Sequence, residues 1–82
     1  MLEIKKFLLE DMHMYVINNR VKEFRMEQNM NQKDLALLVG VDRKTIMRLE
    51  NGETTEPSLY LAWKVSETLR KDITVVFQIE ER

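Results

Sequence analysis

Apolar residues recur at helical spacing through the middle of the chain, separated by charged and polar residues. Apolar positions three or four residues apart are typical of amphipathic helices, and four segments show them: 19–28, 31–40, 43–50 and 59–70. The predicted buried faces are Val21, Phe24, Arg25 and Gln28 in the first segment, Leu35, Ala36, Leu38 and Val39 in the second, Ile46 and Leu49 in the third, and Leu59, Ala62, Val65 and Leu69 in the fourth.

Residues that favour helix ends separate these segments. Side chains that accept hydrogen bonds from first-turn amides precede each predicted helix: Asn18 or Asn19, Asn31, Asp42 and Ser58. Gly40 stands where the second helix must end in a left-handed residue, and Asn51-Gly52 ends the third helix. The pattern therefore predicts separate short helices rather than one long one.

The pattern changes at both ends of this helical region. Residues 13–18 and 75–80 are β-branched or aromatic and partly alternating, so both are predicted to be short strands, and Asp72 could cap a single helical turn before the second. Because a lone two-stranded ribbon is marginally stable in water, it should pack on the helices or pair with another chain. Residues 1–12 are either an amphipathic helix or a frayed extension.

Composition narrows the classes of protein. The 82 residues predict one domain over 13–82, with 1–12 as an extension. With no cysteine and one histidine, His13, the chain cannot form disulfides, a thiolate metal site or a catalytic triad by itself. No apolar run approaches the roughly 20 residues that a membrane span needs. We therefore expect a cytoplasmic protein without a cofactor, and not an enzyme.

The charge is unevenly distributed, although the net charge is only -1. Residues 20–48 contain seven basic residues (Arg20, Lys22, Arg25, Lys33, Arg43, Lys44 and Arg48) against four acidic ones (Glu23, Glu27, Asp34 and Asp42), and the segment after them is net acidic. The sign of the charge on one surface matters more for attracting a polyanion than the net charge of the whole chain does. This half of the chain is therefore the candidate nucleic-acid surface.

The second and third predicted helices, which span 32–51, meet at Gly40 almost without a linker. So short a junction favours the steep crossing of a helix-turn-helix, in which the second helix points its N-terminus outward. The helix dipole is positive at that end, and Arg43 and Lys44 add to it. Such a helix end fits the major groove of DNA.

At these residues the sequence resembles the Cro/cI-type (XRE-like) helix-turn-helix regulators. The resemblance covers about residues 19–77 and is carried by Gln32, Leu35, Ala36, Gly40, Val41, Ile46, Leu49, Glu50-Asn51-Gly52, Pro57 and "LYLAWKVSETL". It implies a mainly α, five-helix domain that binds operator DNA as a dimer. The flanking segments look like the small dimeric members, which add a two-stranded antiparallel β-ribbon made from both termini.

The resemblance also implies roles for individual residues. Gln32 would contact a phosphate, with Lys33 beside it, and Asn51 would donate to the DNA backbone. Arg43, Lys44 and Arg48 would face bases or flanking phosphates, with Thr45 near the groove wall. Glu50 is expected to be structural and to pair with Arg25 or another cation of the first helix. The candidate dimer interface is Trp63, Phe77 and Ile79.

The sequence departs from the family pattern in three places, the first of which is the extension 1–12, without a counterpart in the short members. The loop after Gly52 is often basic in the family, whereas here it contains Glu53 and Glu56. Arg70 and Lys71 stand where a glycine and an apolar residue are common.

Two functional hypotheses remain open. The first is a sequence-specific regulator of double-stranded DNA, a repressor that binds an inverted-repeat operator as a homodimer. The alternative is an antitoxin or protein-interaction adaptor, built on the same fold, with an unknown protein partner.

Overall fold

The computed structural model describes residues 15–81. In chain order these form β1 (Tyr15–Asn19), α1 (Val21–Glu27), α2 (Gln32–Val39), α3 (Arg43–Glu50), α4 (Leu59–Thr68), α5 (Ile73–Val76) and β2 (Phe77–Glu81). The predicted fold class is confirmed, because the described part is mainly helical, with five helices and one two-stranded antiparallel sheet. The predicted extension 1–12 and His13 lie outside the described residues. Within 15–81, no helix is long and apolar enough to cross a bilayer.

Three predicted helix caps are present as side-chain hydrogen bonds. Asn31 accepts from the amide of Asp34 at 2.7 Å, and the Asp34 carboxylate accepts from the Asn31 amide at 3.2 Å, which forms a reciprocal capping box at α2. Ser58 caps α4 through the amide of Leu61. Asp72 caps the single turn of α5, as predicted, and its hydrogen bonds to Thr74 lower the pKa of its carboxyl group.

Two other predicted caps are present only in part. The N-cap of α1 is Arg20, whose side chain makes no capping bond, rather than Asn18 or Asn19. Asn19 instead accepts from the Val21 amide and donates to the carbonyl of Leu49, which ties the strand to the end of α3. Asp42 does occupy the N-cap position of α3, but its side chain makes no capping hydrogen bond.

The core lies between the helices. Its members are Val21, Phe24, Leu35, Ala36, Val39, Ile46, Leu49, Leu61, Val65, Leu69 and Val76. Leu38 and Leu59 were predicted in this core but are 59% and 81% exposed. Leu38 precedes Val39 by one residue, a rotation of about 100° around the helix. Leu59 begins α4, and Leu61 takes the buried place in that turn.

The two strands pair within one chain, as a ribbon made from both ends of the described region. Ile17 lies opposite Ile79, and Asn19 opposite Phe77. The second strand begins at residue 77 rather than 75, because the turn capped by Asp72 continues to Val76, whose side chain is fully buried. The first strand extends to Asn19, one residue beyond its predicted end.

Arg70, which follows the C-cap residue of α4, has a φ of 57°. This is the left-handed region, which costs a residue with a Cβ roughly 1–2 kcal/mol and which glycine adopts freely. The departure from the family pattern at this position therefore places a strained arginine where the backbone favours glycine. The next residue, Lys71, lies with its ammonium 4.8 Å from the centre of the Phe24 ring.

We expect Arg70→Gly to raise the free energy of unfolding by about 0.5–1 kcal/mol, since relief of the left-handed strain outweighs the added freedom of the unfolded chain. Urea unfolding measures the change. The control is Arg70→Ala, which removes the same exposed side chain but keeps the Cβ and should bring no gain. A glycine variant no more stable than the alanine variant would show that the backbone is not strained there.

Candidate nucleic-acid interface

The helices α2 and α3 are joined by a turn of three residues, 40–42. Gly40 has a φ of 86°, and the amides of Gly40 and Val41 both donate to the carbonyl of Ala36, at 2.8 and 3.0 Å. This closes α2 and starts α3 after a sharp change of direction. Since α3 buries Ile46 and Leu49, its first turn is left at the surface.

A buried ion pair fixes the other end of α3. The guanidinium of Arg25 donates to both carboxylate oxygens of Glu50, with Nε–Oε2 at 2.7 Å and Nη2–Oε1 at 3.0 Å. The Glu50 side chain is only 1% exposed and that of Arg25 10% exposed. Hydrogen bonding to Glu50 raises the pKa of Arg25. The predicted pairing of Glu50 with Arg25 is confirmed.

Two further hydrogen bonds extend this ion pair into a network. Arg25 Nη1 donates to the carbonyl of Met30 at 2.7 Å, and Gln32 Nε2 donates to Glu50 Oε1 at 3.0 Å. The network therefore joins α1, the start of α2 and the end of α3. A side-chain amide nitrogen carries two hydrogens, so Gln32 keeps one donor for another acceptor.

Four cations occupy the outer side of the helix-turn-helix, and we call them the basic face: Lys33, Arg43, Lys44 and Arg48. All four are exposed. None takes part in the salt bridges found within residues 15–81, which pair Arg20 with Glu23, Arg25 with Glu50, Lys64 with Glu67 and Lys71 with Glu27. Their charge is thus directed to the solvent side rather than neutralised within the described part of the protein.

The structure brings most of the sequence-predicted DNA contacts to this side. Lys33 and Arg43, near the starts of α2 and α3, border one shallow groove. Lys44 and Arg48 are four residues apart on α3 and therefore share a face. The other two candidates flank this face: Thr45 is half-buried, and Asn51 is the exposed C-cap of α3.

The acidic loop after α3 is partly engaged with the first strand. The hydroxyl of Tyr15 donates to Glu56, and this contact raises the pKa of Tyr15. Glu53 is exposed. The loop therefore contributes negative charge next to the end of α3 and no basic side chain.

The three candidate interface residues lie on α4 and β2, and Phe77 among them also packs against the core. Ile79 is 69% exposed, Trp63 is 49% exposed and Phe77 is half-buried. Phe77 and Ile79 line an apolar groove with Leu59, and Trp63 follows Leu59 by four residues on α4. Its ring lies 6.5 Å from that of Tyr60, which is 60% exposed.

We call this surface the apolar patch: Leu59, Tyr60, Trp63, Phe77 and Ile79. Sequence reasoning missed Leu59 and Tyr60 as members. The four-residue spacing of Leu59 and Trp63 was a signal that they share a face.

The helix-turn-helix family model HTH_3 matches residues 21–76, more than half of the chain. The chain belongs to the XRE-like helix-turn-helix family of transcriptional regulators. The match begins at α1 and ends with α5, so it includes the turn, the ion pair and the basic face. The resemblance inferred from the sequence is therefore confirmed.

Related sequences cover most of this regulator. One is an uncharacterized HTH-type transcriptional regulator of Archaeoglobus fulgidus, 43% identical over 65 residues, with 79% of this chain and 90% of the relative covered. Another is the uncharacterized HTH-type transcriptional regulator YgzD of Bacillus subtilis, which is 37% identical over 65 residues. That match covers 79% of this chain and 97% of YgzD. The names of these relatives describe transcriptional regulators, which is a non-enzymatic class of protein.

Solved structures share the fold. The transcriptional regulator VanUg matches with a TM-score of 0.67, and the match covers 85% of this chain and 92% of VanUg. Because the sequence identity is only 18%, this match shows a shared fold and nothing more. Apo-HppE matches with a TM-score of 0.62 and 29% identity over 67% of this chain. Our regulator spans only 30% of that protein, so the match concerns one part of it.

We expect Glu50→Ala to lower the free energy of unfolding by about 3–5 kcal/mol, because it leaves the Arg25 guanidinium buried without a counter-charge. The matched control is Glu23→Ala, which removes an exposed carboxylate paired with Arg20 and should change stability little. Chemical unfolding of both variants measures the difference. Equal, small losses would mean that water replaces Glu50 around Arg25.

Proposed function

We propose that this regulator binds double-stranded DNA sequence-specifically, as a homodimer on an inverted-repeat operator, and represses transcription there. The observation that carries the proposal is the basic face. Four exposed cations without salt bridges among the described residues lie along α3 and at the start of α2. Such a concentration of charge attracts the phosphate backbone even though the whole chain is slightly acidic.

The recognition helix in this proposal is α3. Its first turn carries Arg43 and Lys44 at the positive end of the helix dipole, and its core side is fixed by Ile46 and Leu49. In a helix-turn-helix, residues of the first turns reach base edges in the major groove. Arginine and lysine there pair with the acceptors of guanine.

The remaining site residues suit the sugar–phosphate backbone. Gln32 keeps one amide hydrogen after its bond to Glu50, and this hydrogen can reach a phosphate near the start of α2. Lys33 is the next residue and adds charge. Thr45 and Asn51 flank the reading face and supply hydrogen bonds that fix the register of the protein on DNA.

A second copy of the chain is the partner that fits the apolar patch. Leu59 and Ile79 are 81% and 69% exposed, on adjoining elements. The backbone of residues 78–81 bonds only to β1 within the described range, so the other edge of β2 is open. Two β2 strands paired across a twofold axis would close both edges and cover the patch.

The dimer also explains how a small domain reads an operator. One recognition helix covers only a few base pairs, and non-specific contacts alone give affinities of about 10⁻⁴–10⁻⁶ M. Two helices related by a twofold axis would enter successive major grooves roughly 34–36 Å apart. The operator is then an inverted repeat with half-sites one helical turn apart.

Repression is the regulatory outcome that requires the fewest additional contacts from the protein. A dimer bound across a promoter blocks polymerase by occupancy alone, whereas activation requires a specific productive contact. The protein would act in the cytoplasm, where bacterial and archaeal DNA lies.

An antitoxin or adaptor role is the second candidate. It is favoured by the same apolar patch, which a different protein could cover, and by Glu53 in the loop beside α3. Such a partner would bind the apolar patch in place of a second copy of the chain, and the basic face would stay available to DNA.

We expect Arg43→Ala to weaken binding to a duplex selected from random sequence by about 1–3 kcal/mol and to relax the preference at one base position of each half-site. Fluorescence anisotropy with single-base variants of that duplex measures both effects. The control, Arg70→Gly, removes one positive charge outside the helix-turn-helix and should leave affinity unchanged.

The outcome of this experiment separates two modes of contact. A loss that is equal on all sequences would assign Arg43 to phosphate instead of a base. Full affinity in Arg43→Ala would contradict the proposal that α3 is the recognition helix.

For the dimer, we expect Ile79→Lys to produce a folded monomer that loses most operator affinity, because it places a charge in the apolar patch. Gln78→Lys adds the same charge on the opposite face of β2 and should remain dimeric. Sedimentation at micromolar concentration distinguishes the two variants, and circular dichroism checks their helices. A monomeric wild-type chain that binds a single half-site tightly would refute the dimer.

A further inference from the structure

The recognition helix carries one apolar side chain on its outward side. Met47 lies three residues after Lys44 and four after Arg43, positions that are neighbours on a helix surface. It is half-buried and is not among the partly buried apolar residues that pack on the core, which are Met30, Val41 and Phe77.

The rotation of α3 explains this position. Ile46, Leu49 and the buried carboxylate of Glu50 define the inner side of the helix. At 3.6 residues per turn, the opposite side is centred between Lys44 and Arg48. Thr45 and Met47 flank this centre on its two sides, and Met47 lies on the side of Arg43 and Lys44. Met47 therefore borders whatever the basic face binds.

We propose that Met47 reads a thymine by contacting its C5-methyl group in the major groove. This inference rests on the proposed function and adds a specificity determinant to it. The thymine methyl is the apolar group that base edges present in that groove. The other outward residues of α3 are cations and Thr45, so Met47 presents the larger uncharged apolar surface to such a methyl group. Its flexible, polarizable thioether adapts to such a contact.

The position along the helix separates this contact from the one assigned to Arg43. The two residues are one turn apart, about 6 Å along the axis, and they should therefore contact different base pairs. Each half-site should then contain a thymine next to the base pair read by Arg43. Because the protein is proposed to be a twofold dimer, the same thymine recurs in the inverted half-site.

The test replaces thymine with uracil, which removes only the C5-methyl group. The full chain is first used to select duplexes from random DNA, and each thymine of the selected half-site is then replaced in turn. At one position, wild type should lose affinity about fourfold for each methyl group removed, the value expected for losing one buried apolar carbon. Met47→Ala should bind the original duplex more weakly and show no loss at that position.

Two further variants make the result specific. Met47→Leu keeps an apolar side chain of similar volume, and it should retain both the fold and the uracil penalty. Arg43→Ala should retain the uracil penalty as well, because it alters a different base contact. Thermal unfolding of each variant confirms that the compared proteins are folded.

Some outcomes overturn the inference about Met47 and leave the proposed DNA-binding function intact. Wild type that binds every uracil duplex as tightly as the thymine duplex, or Met47→Ala that keeps the full uracil penalty, would show that Met47 reads no methyl group. A selected half-site without thymine would do the same. In these cases DNA binding itself stands. Failure of the wild-type chain to select any DNA would instead overturn the proposed function.

Discussion

The arrangement of this domain depends on a charged pair that is removed from water. Arg25 and Glu50 meet through two hydrogen bonds, with the carboxylate almost completely buried. Removing either side chain would leave the other charge buried without a partner, and an uncompensated buried charge is strongly destabilising. The pair therefore holds the end of α3 against α1. Gln32 joins the same carboxylate, so the start of α2 is held with them.

This constraint determines where the outward charges lie. With the inner side of α3 fixed by Glu50, Ile46 and Leu49, the helix cannot rotate, and Lys44 and Arg48 must face outward. Among the acidic residues nearby, Glu56 is engaged with Tyr15, whereas Asp42 and Glu53 are exposed, Asp42 in the groove that Lys33 and Arg43 border. A slightly acidic chain thus presents a locally basic surface.

Much of the fold could be predicted from the sequence, because helix periodicity and capping are local. Asn31, Ser58 and Asp72 make the expected bonds, and Gly40 has the expected left-handed conformation. Errors arose where tertiary geometry decides. Periodicity assigned Leu38 and Leu59 to the core, yet which side of a short helix is covered depends on its neighbours. Asn19 lies one residue before the N-cap of α1, where its side chain accepts from the Val21 amide and donates to the carbonyl of Leu49.

The candidate site was predictable to a similar extent. The family pattern identified the residues of the basic face, and the structure adds that they are free of salt bridges within residues 15–81. The outward position of Met47 was not foreseen, since an apolar residue between Ile46 and Leu49 is typical of a buried stripe. The exposure of Leu59 likewise required the packing of α4 to be known.

The central claim is that the starts of α2 and α3 form the DNA-binding surface. The most direct measurement is a titration of the isotopically labelled protein with its selected duplex, followed by backbone amide chemical shifts. We expect the largest changes at residues 32–34 and 43–48. Changes confined to α4 and the terminal strands, with residues 43–48 unaffected, would contradict the claim.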